Sequence, residues 1–330
     1  MNWLSLSENK QVELFEQLSY KTGLLPQAIE KDAWVTLILR MLFTSSIAKK
    51  LTFKGGTSLS KIYGLINRFS EDIDVSIDRE YLGFGGDLTK GQIRKLRKKS
   101  HNFTLNVMTE IIRKQLEEYR INQSLFEIIV ENTKISDQDP ETIKINYKSV
   151  FGEIEYLRQR VLIEIGARSS SEPYEIKPVQ SLIDIHFPRL PISEKPFMAK
   201  VIRPEKTLLE KMILLHEEFS KPFEKIRYFR MSRHYYDIAQ ILQSKYGKKA
   251  LQNKALFDEI IRHRAKYTPV KTVNYSELTM ETLKIFPEEK ILALYKKDYR
   301  KMQESMIYGK KQDFDEIIEI IKRETGRIND

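Results

Sequence analysis

The chain has 330 residues, 41% of them hydrophobic and 31% charged, with 56 Lys and Arg against 46 Asp and Glu and no Cys. That length supports one large or two ordinary domains with a buried core, and the missing Cys excludes disulfides, a thiol nucleophile and thiolate metal sites, as fits a cytosolic protein. The formal charge of +10 favours a polyanionic partner, either nucleic acid or nucleotide phosphate.

No apolar run reaches the roughly 18 residues that a membrane helix needs. The opening MNWLSLSENK has no basic segment leading into an apolar core, so no secretory leader is expected. A cytoplasmic location and no membrane partner follow as expectations.

Residues 10–45 read as helices, with Val35, Leu37, Ile38, Leu39, Met41 and Leu42 following Trp34 at helical spacing. Leu51–Lys54 is a short strand running into Gly55-Gly56. A helix is expected after it through Ile66, with Thr57 and Ser58 as capping residues and Leu59, Ile62, Tyr63 and Ile66 as its stripe. Ile73, Val75 and Ile77 then alternate with Asp72, Asp74 and Ser76, the pattern of a half-buried strand. Lys90 to about Tyr119 is helical and strongly basic at its start. Four strand-like stretches follow, Leu125–Asn132, Thr142–Val150, Val161–Arg168 and Ile176–His186, separated by turn formers at Asp137–Pro140 and Ser169–Pro173. Beyond Pro191, residues 205–220, 232–245, 250–263 and 285–323 read as helices. The predicted fold class is therefore α/β (α+β), a mixed-sheet domain over residues 1–190 and a helical domain over 191–330, with the boundary in the Pro-containing stretch 188–204. There is no internal repeat and no low-complexity tract.

The chemistry concentrates in Phe53-Lys54-Gly55-Gly56-Thr57-Ser58-Leu59-Ser60-Lys61 and Ser70-Glu71-Asp72-Ile73-Asp74. A strand entering Gly-Gly and then a helix start lets the backbone approach a phosphate, which the first N–H groups and a Ser or Thr hydroxyl bind. Lys61 lies about one turn into that helix, within reach of the same phosphates. No Gly-Lys-Ser/Thr follows, so this is not a P-loop. On a strand, alternate side chains share a face, which puts Asp72 and Asp74 on one side with Cα atoms roughly 6.6 Å apart. Two such carboxylates repel unless cations bridge them, and magnesium, a hard ion taking oxygen ligands, meets that need and carries a triphosphate with it. Glu164, a charge in the apolar run Val161-Leu162-Ile163-Glu164-Ile165, is the preferred third carboxylate; Asp184 in Leu182-Ile183-Asp184-Ile185 competes with the same pattern.

In the helical half, Leu208 and Leu215 flank Lys211 at minus three and plus four, so Lys211 borders the apolar stripe and needs an anionic partner, a triphosphate being one. Asp237, four residues before Ile241, also borders an inward face. It stands ready to orient Lys211 or an attacking hydroxyl, or to pair with Arg233 on its own helix. His101, His186, His216, His234 and His263 show no metal-ligand spacing. The run Arg94-Lys95-Leu96-Arg97-Lys98-Lys99 suits either RNA phosphates or a solvated helix face.

Taken in order, Glu30-Lys31-Asp32-Ala33-Trp34-Val35, Lys54-Gly55-Gly56-Thr57-Ser58-Leu59, Ser70-Glu71-Asp72-Ile73-Asp74, Glu164-Ile165-Gly166-Ala167-Arg168, Pro204-Glu205-Lys206-Thr207 with Glu210-Lys211, and Arg233-His234-Tyr235-Tyr236-Asp237 resemble the AbiEii/AbiGii-type nucleotidyltransferases. These are toxins of bacterial toxin–antitoxin and phage-defence systems in the polymerase-beta-like superfamily. The resemblance implies a polymerase-beta-like core, an NTP substrate and magnesium, with manganese as the substitute ion. The basic surface suits an RNA acceptor, tRNA first among them, and the resemblance to toxins of toxin–antitoxin systems implies a cognate antitoxin.

It further implies phosphate contacts from Gly55, Gly56 and Ser58, and metal binding by Asp72 and Asp74. Lys211 and Asp237 fall on essential residues of the later motifs, and Ser70 falls on a position open to regulatory phosphorylation. The catalytic set is then Asp72, Asp74, Lys211 and Asp237. The nucleotide-binding set is Gly55, Gly56, Thr57, Ser58, Lys61 and Arg233, and the metal set is Asp72, Asp74 and Glu164. His234 departs from the family, which commonly has Asp there, and no motif maps after about Ala250. The expected reaction is in-line NMP transfer with release of pyrophosphate. A kinase-like phosphotransfer on a protein or small molecule and a non-catalytic RNA-binding module are the rival readings.

Overall fold

The structure, a computed structural model, describes residues 2–70, 72–131, 139–152 and 157–326. Glu71, Asn132 and Asp137, which entered the motifs and turns above, lie outside the described residues. By contact the chain forms two units, Met1–Ile62 with Ser70–Val201, and Tyr63–Phe69 with Ile202–Asp330.

The first unit opens with α1 (Glu8–Thr22) and α2 (Pro26–Thr44). Gly23 at φ 71° ends α1 in the left-handed region, where a side chain would be strained. Pro26 then starts α2, its missing N–H costing nothing at a first turn. From Ala28 to Phe43 nearly every residue of α2 is buried, and the helix packs against α1 and the sheet. Its buried charges Lys31 and Glu30 are accordingly satisfied. Lys31 Nζ donates to the Arg158 carbonyl at 2.9 Å, and Glu30 accepts from the Ser149 hydroxyl and the Val150 N–H. Trp34 stacks on Tyr147 with ring centres 5.0 Å apart.

Among the described residues the sheet has seven strands: β1 (Leu51–Lys54), β2 (Asp72–Ile77), β3 (Phe126–Val130), β4 (Glu141–Tyr147), β5 (Arg160–Gly166), β6 (Tyr174–Val179) and β7 (Phe197–Ile202). Their order is β3-β4-β5-β2-β1-β7-β6. It is mixed: β1 runs antiparallel to β2 and parallel to β7, while β2 runs parallel to β5. Between β1 and β2 lies α3 (Gly55–Lys61). After β2 come α4 (Lys90–Phe103), a π-helical turn over Thr104–Met108 and α5 (Thr109–Glu118).

Three expectations are corrected. The helix after Gly-Gly stops at Lys61, not Ile66, because Gly64 at φ 59° leaves the helical path. The stretch Ile176–His186 is two elements. The edge strand β6, which tolerates Pro178 at its edge position, ends at Val179, and Ser181 then caps a short helix, α6 (Leu182–His186), with Asp184 closing a capping box. A strand, β7, occupies the predicted linker; Phe197, Ala199 and Val201 are buried in alternation with Met198 and Lys200.

The second unit is helical: α7 (Pro204–Phe219), α8 (Ser232–Leu242), α9 (Lys245–Leu251), α10 (Lys254–Tyr267), α11 (Glu289–Ser305) and α12 (Phe314–Thr325). The central helix α8 packs against α7, α9, α11 and α12. Its Tyr235 is fully buried and donates to the Ile285 carbonyl at 2.6 Å. The segment Tyr63–Phe69 is woven into this unit by its backbone. Phe69 N–H donates to the Met306 carbonyl at 2.7 Å, Tyr308 N–H donates to the Asn67 carbonyl at 2.9 Å, and Arg68 bridges Ile307.

Candidate active site

In the first unit the strand register assembles the carboxylates. Asp72 and Asp74 alternate with Ile73 and Val75, which are fully buried, so both acids stand on the opposite face. Asp74 lies in register with Glu164 of β5 on one side and Lys54 of β1 on the other. Register partners share a face, which groups Asp72, Asp74, Glu164 and Lys54 there. Sequence reasoning left Lys54 out of the site sets, although its place at the end of a strand leading into Gly-Gly was the available signal. Its ammonium donates to the Ser169 hydroxyl at 2.9 Å.

Gly55 is fitted to this carboxylate. Its φ is 80°, and a Cβ there would sit 1.9 Å from Asp74 Oδ2. The carboxylate therefore lies against the bare Cα, and two independent reasons demand glycine.

Thr57 and Ser58 are buried in the first turn of α3 and do not cap it. Thr57 donates to the Asp72 carbonyl at 2.5 Å and Ser58 to the Gly55 carbonyl at 2.8 Å. The Thr57 hydroxyl braces the turn against the carboxylate strand, and the Ser58 hydroxyl closes the turn on itself. Lys61 turns to Asp32 of α2, Nζ–Oδ1 2.5 Å, and Asp32 also accepts from the Leu182 N–H at 2.9 Å. Phosphate contact by Lys61 therefore requires that ion pair to open. Asp184, the rival third carboxylate, is committed elsewhere. It accepts from Ser181 N–H and Oγ at 3.1 and 2.8 Å and from Glu194 N–H at 2.8 Å. A helix-capping acid with its lone pairs so occupied is a structural group.

Among the described residues no three His, Asp or Glu side chains converge into a cage for a metal. The donor set nevertheless fits magnesium, which keeps several waters and is commonly held by one or two carboxylates together with substrate phosphates. Asp72 and Asp74 would hold it, with Glu164 in register beside them.

In the second unit Asp237 of α8 is fully buried and serves two cations. Arg68 Nε and Nη2 donate to its two oxygens at 2.6 and 2.7 Å, and Lys211 Nζ of α7 lies 3.0 Å from Oδ2. Burial alone would raise the Asp237 pKa; the Arg68 and Lys211 charges outweigh it and hold the carboxyl well below the usual range. Burial pushes the Lys211 ammonium down, opposed by Asp237 and reinforced by Arg68. His234 Nδ1 lies 3.3 Å from Lys211 Nζ. Burial, and then the Lys211 and Arg233 charges, push His234 well below its ordinary value. An ammonium has only donors, so Nδ1 of a neutral imidazole is the acceptor. The sequence offered Lys211 as one of three partners for Asp237, beside an attacking hydroxyl and Arg233, and missed Arg68, a lone charge between Leu65, Ile66 and Phe69 just before Ser70. It also gave His234 no task.

The carboxylate face against a Gly-Gly turn on a mixed sheet is the architecture of a nucleotidyltransferase. Residues 37–320 match the model of the nucleotidyl transferase AbiEii toxins of type IV toxin–antitoxin systems. The chain belongs to the AbiEii family, a nucleotidyltransferase toxin of such a system. The family resemblance and the mixed α/β class read from the residues are both borne out. No curated protein matches the chain.

Among solved structures, JHP933 from Helicobacter pylori is 16% identical with a TM-score of 0.39, over 93% of this chain and 98% of that one. A candidate nucleotidyltransferase from H. pylori is 14% identical with a TM-score of 0.38, over 85% and 98%. Among the described residues no helix is long and apolar enough to cross a membrane.

Proposed function

We propose that this nucleotidyltransferase moves an NMP from an NTP to an RNA acceptor, tRNA above all, with magnesium held by Asp72 and Asp74. The observation that carries this reading is the register that sets Asp74 between Glu164 and Lys54 while its carboxylate rests on the Gly55 Cα. When bound, the metal supplies charge neutralisation at the phosphates and a lowered pKa for the acceptor hydroxyl. The chain's own groups do the rest. Gly55 and Gly56 let backbone N–H groups approach the phosphates, and Thr57 and Ser58 fix that turn. Lys54 supplies a fixed cation on the carboxylate face. Positioning and electrostatics of this kind provide most of the rate enhancement in phosphorus chemistry.

Lys211 and Asp237 belong to the same reaction by the family resemblance. A desolvated ammonium held by one carboxylate is suited to taking a phosphate oxygen as a further acceptor. Arg233 joins it as a nucleotide-binding cation. A cognate antitoxin and a cytoplasmic site of action follow from the toxin–antitoxin class. Ser70, two residues before Asp72, is the proposed phosphorylation position, where about −1.5 to −2 units of charge would adjoin the carboxylate strand and oppose nucleotide binding.

The test is incubation of purified protein with total bacterial RNA, magnesium and each α-³²P-labelled NTP in turn, followed by a denaturing gel. Label in a tRNA-sized band, pyrophosphate release, and loss of both in Asp72→Ala and Asp74→Ala variants that still fold are expected. Label persisting in either variant overturns the site assignment. Release of nucleoside diphosphate instead of pyrophosphate makes the enzyme a phosphotransferase.

A further inference from the structure

The basic helix α4 is the feature that the reaction centre leaves unused. It carries six Lys and Arg in 14 residues, Lys90-Gly-Gln-Ile-Arg94-Lys95-Leu-Arg97-Lys98-Lys99-Ser-His-Asn-Phe103, and no acid. Every other described helix longer than seven residues contains at least one Asp or Glu. Ile93, Leu96, Ser100, His101 and Phe103 form its buried side, whereas Arg94, Lys95, Lys98 and Lys99 are exposed. Arg94 with Lys98, and Lys95 with Lys99, stand four residues apart, so the cations form two adjacent rows about 6 Å in step along the axis.

Among the described residues none of these four has an ion-pair partner. Like charges at that spacing cost a few tenths of a kcal/mol per pair, and a merely solvated face relieves them by mixing signs, as the exposed faces of α11 and α12 do. The inner side of α4 is firmly tied, with Ser100 donating to Asp139 at 3.1 Å and His101 Nδ1 2.7 Å from Glu141. A Thr89–Gln92 capping box fixes its start. The rows are thus held on a rigid support. At the far end Tyr81, 44% exposed, meets Phe103, the last residue of α4, edge-on at 6.0 Å, and the Lys50 ammonium lies 5.9 Å from its ring centre.

The geometry points to the outer face of α4 as the docking surface for the backbone of the RNA acceptor, with Tyr81 as a stacking platform at its end. The inference rests on the RNA-acceptor reading given above and deepens it. A row of unpaired cations fits a regularly spaced polyanion, and the attraction is released with counterions, so it is salt-dependent and largely blind to sequence. Stacking on Tyr81 adds affinity that salt does not remove.

The experiment measures binding of unfractionated bacterial tRNA by the full chain across a salt series. It compares the wild type with a quadruple variant, Arg94→Gln, Lys95→Gln, Lys98→Gln and Lys99→Gln, in which Gln preserves helix propensity. A second quadruple variant on α11, Lys290→Gln, Lys297→Gln, Arg300→Gln and Lys301→Gln, removes the same charge from another exposed face. Circular dichroism checks that all fold.

At about 0.7–0.9 per lost phosphate contact, the loss of all four contacts in the α4 variant is expected to lower the slope of log affinity against log salt by about 3 to 3.5. Its affinity at low salt should fall at least tenfold, with the α11 variant close to wild type. Tyr81→Ala is expected to weaken binding with the slope unchanged. Equal slopes for the α4 and α11 variants overturn the inference while the RNA-acceptor reading stands. A wild type that neither binds nor labels any RNA overturns that reading and this inference with it.

Discussion

Arg68 and Asp237, 169 residues apart in sequence, face each other through two parallel hydrogen bonds of 2.6 and 2.7 Å. Both side chains are almost wholly buried. The fork-to-fork geometry is specific to a guanidinium, and a lysine ammonium cannot reproduce it. Because Lys211 takes Asp237 Oδ2 at 3.0 Å, this one carboxylate is shared by two cations, the trio keeps a net charge of one positive unit, and the position of Lys211 depends on Arg68 through it.

Removing Arg68 breaks two charge-assisted hydrogen bonds while Lys211 still pairs with the buried carboxylate, a loss of about 3 kcal/mol at about 1.5 kcal/mol per bond. Arg68→Ala is therefore expected to lower stability to urea by that amount. Arg68→Lys keeps the charge but loses the fork, for about 1.5–3 kcal/mol. In a double-mutant cycle with Asp237→Asn the two losses should fall well short of additive. Additive losses would mean that the pair contributes no coupling and that Arg68 does not position Asp237.

Gly55 offers a contrast within one residue type. Gly55→Ala drives a Cβ to within 1.9 Å of Asp74 Oδ2, whereas Gly64→Ala, at φ 59°, meets nothing within 4 Å. Both substitutions strain a left-handed backbone, by about 1–2 kcal/mol, but only the first displaces a site carboxylate. Gly55→Ala is expected to abolish nucleotidyl transfer, while Gly64→Ala lowers the melting temperature by a few degrees and keeps most activity. Matched activity in the two variants would show that the Gly55–Asp74 contact is incidental to the chemistry.

The carboxylate face was legible in the sequence because the period of a strand is two. Asp72, Asp74 and Glu164 each sit opposite β-branched neighbours, and that alternation carries across the register. The Asp184 candidacy failed for a readable reason. Ser181-Leu182-Ile183-Asp184 is a capping-box sequence, and its Ser and Asp outweigh the β-branched run around them. Strand β7 was equally readable in the alternation of Phe197, Ala199 and Val201, hidden by the prolines at 191 and 196 that flank it. Arg68 was not legible. Its partner lies 169 residues away, and no local pattern specifies which long-range carboxylate a buried arginine will meet. The same holds for Lys61, whose position in the α3 helix suggested phosphate and whose partner is Asp32.

If Asp72 and Asp74 hold magnesium with the triphosphate, the ligands bind only the folded state and stabilise it by mass action. The gain reaches about 2.7 kcal/mol at a hundredfold excess over Kd. The wild type is expected to melt several degrees higher with magnesium and a non-hydrolysable NTP than with the nucleotide and EDTA. Asp74→Asn should show no such difference. A shift of equal size in that variant would place the metal-dependent nucleotide site elsewhere.

His234 makes stability depend on pH in a window that separates it from its neighbours. Its folded pKa lies well below the ordinary value because of burial and the adjacent Lys211 and Arg233 charges, so the unfolded chain binds the proton more readily. Its contribution is therefore complete above about pH 6.5 and is lost as pH falls, at about 1.4 kcal/mol per pH unit. Between pH 7 and pH 5 that amounts to at most about 2 kcal/mol. Asp237, also depressed, loses its share only below about pH 4, the ordinary carboxylate range. His234→Asn keeps an amide acceptor for Lys211 and removes the titration. Urea unfolding at pH 7 and pH 5 should show the variant losing less stability than the wild type, by up to that amount. An equal loss would mean that His234 already carries its proton in the folded protein and that the Lys211 ammonium has a different acceptor.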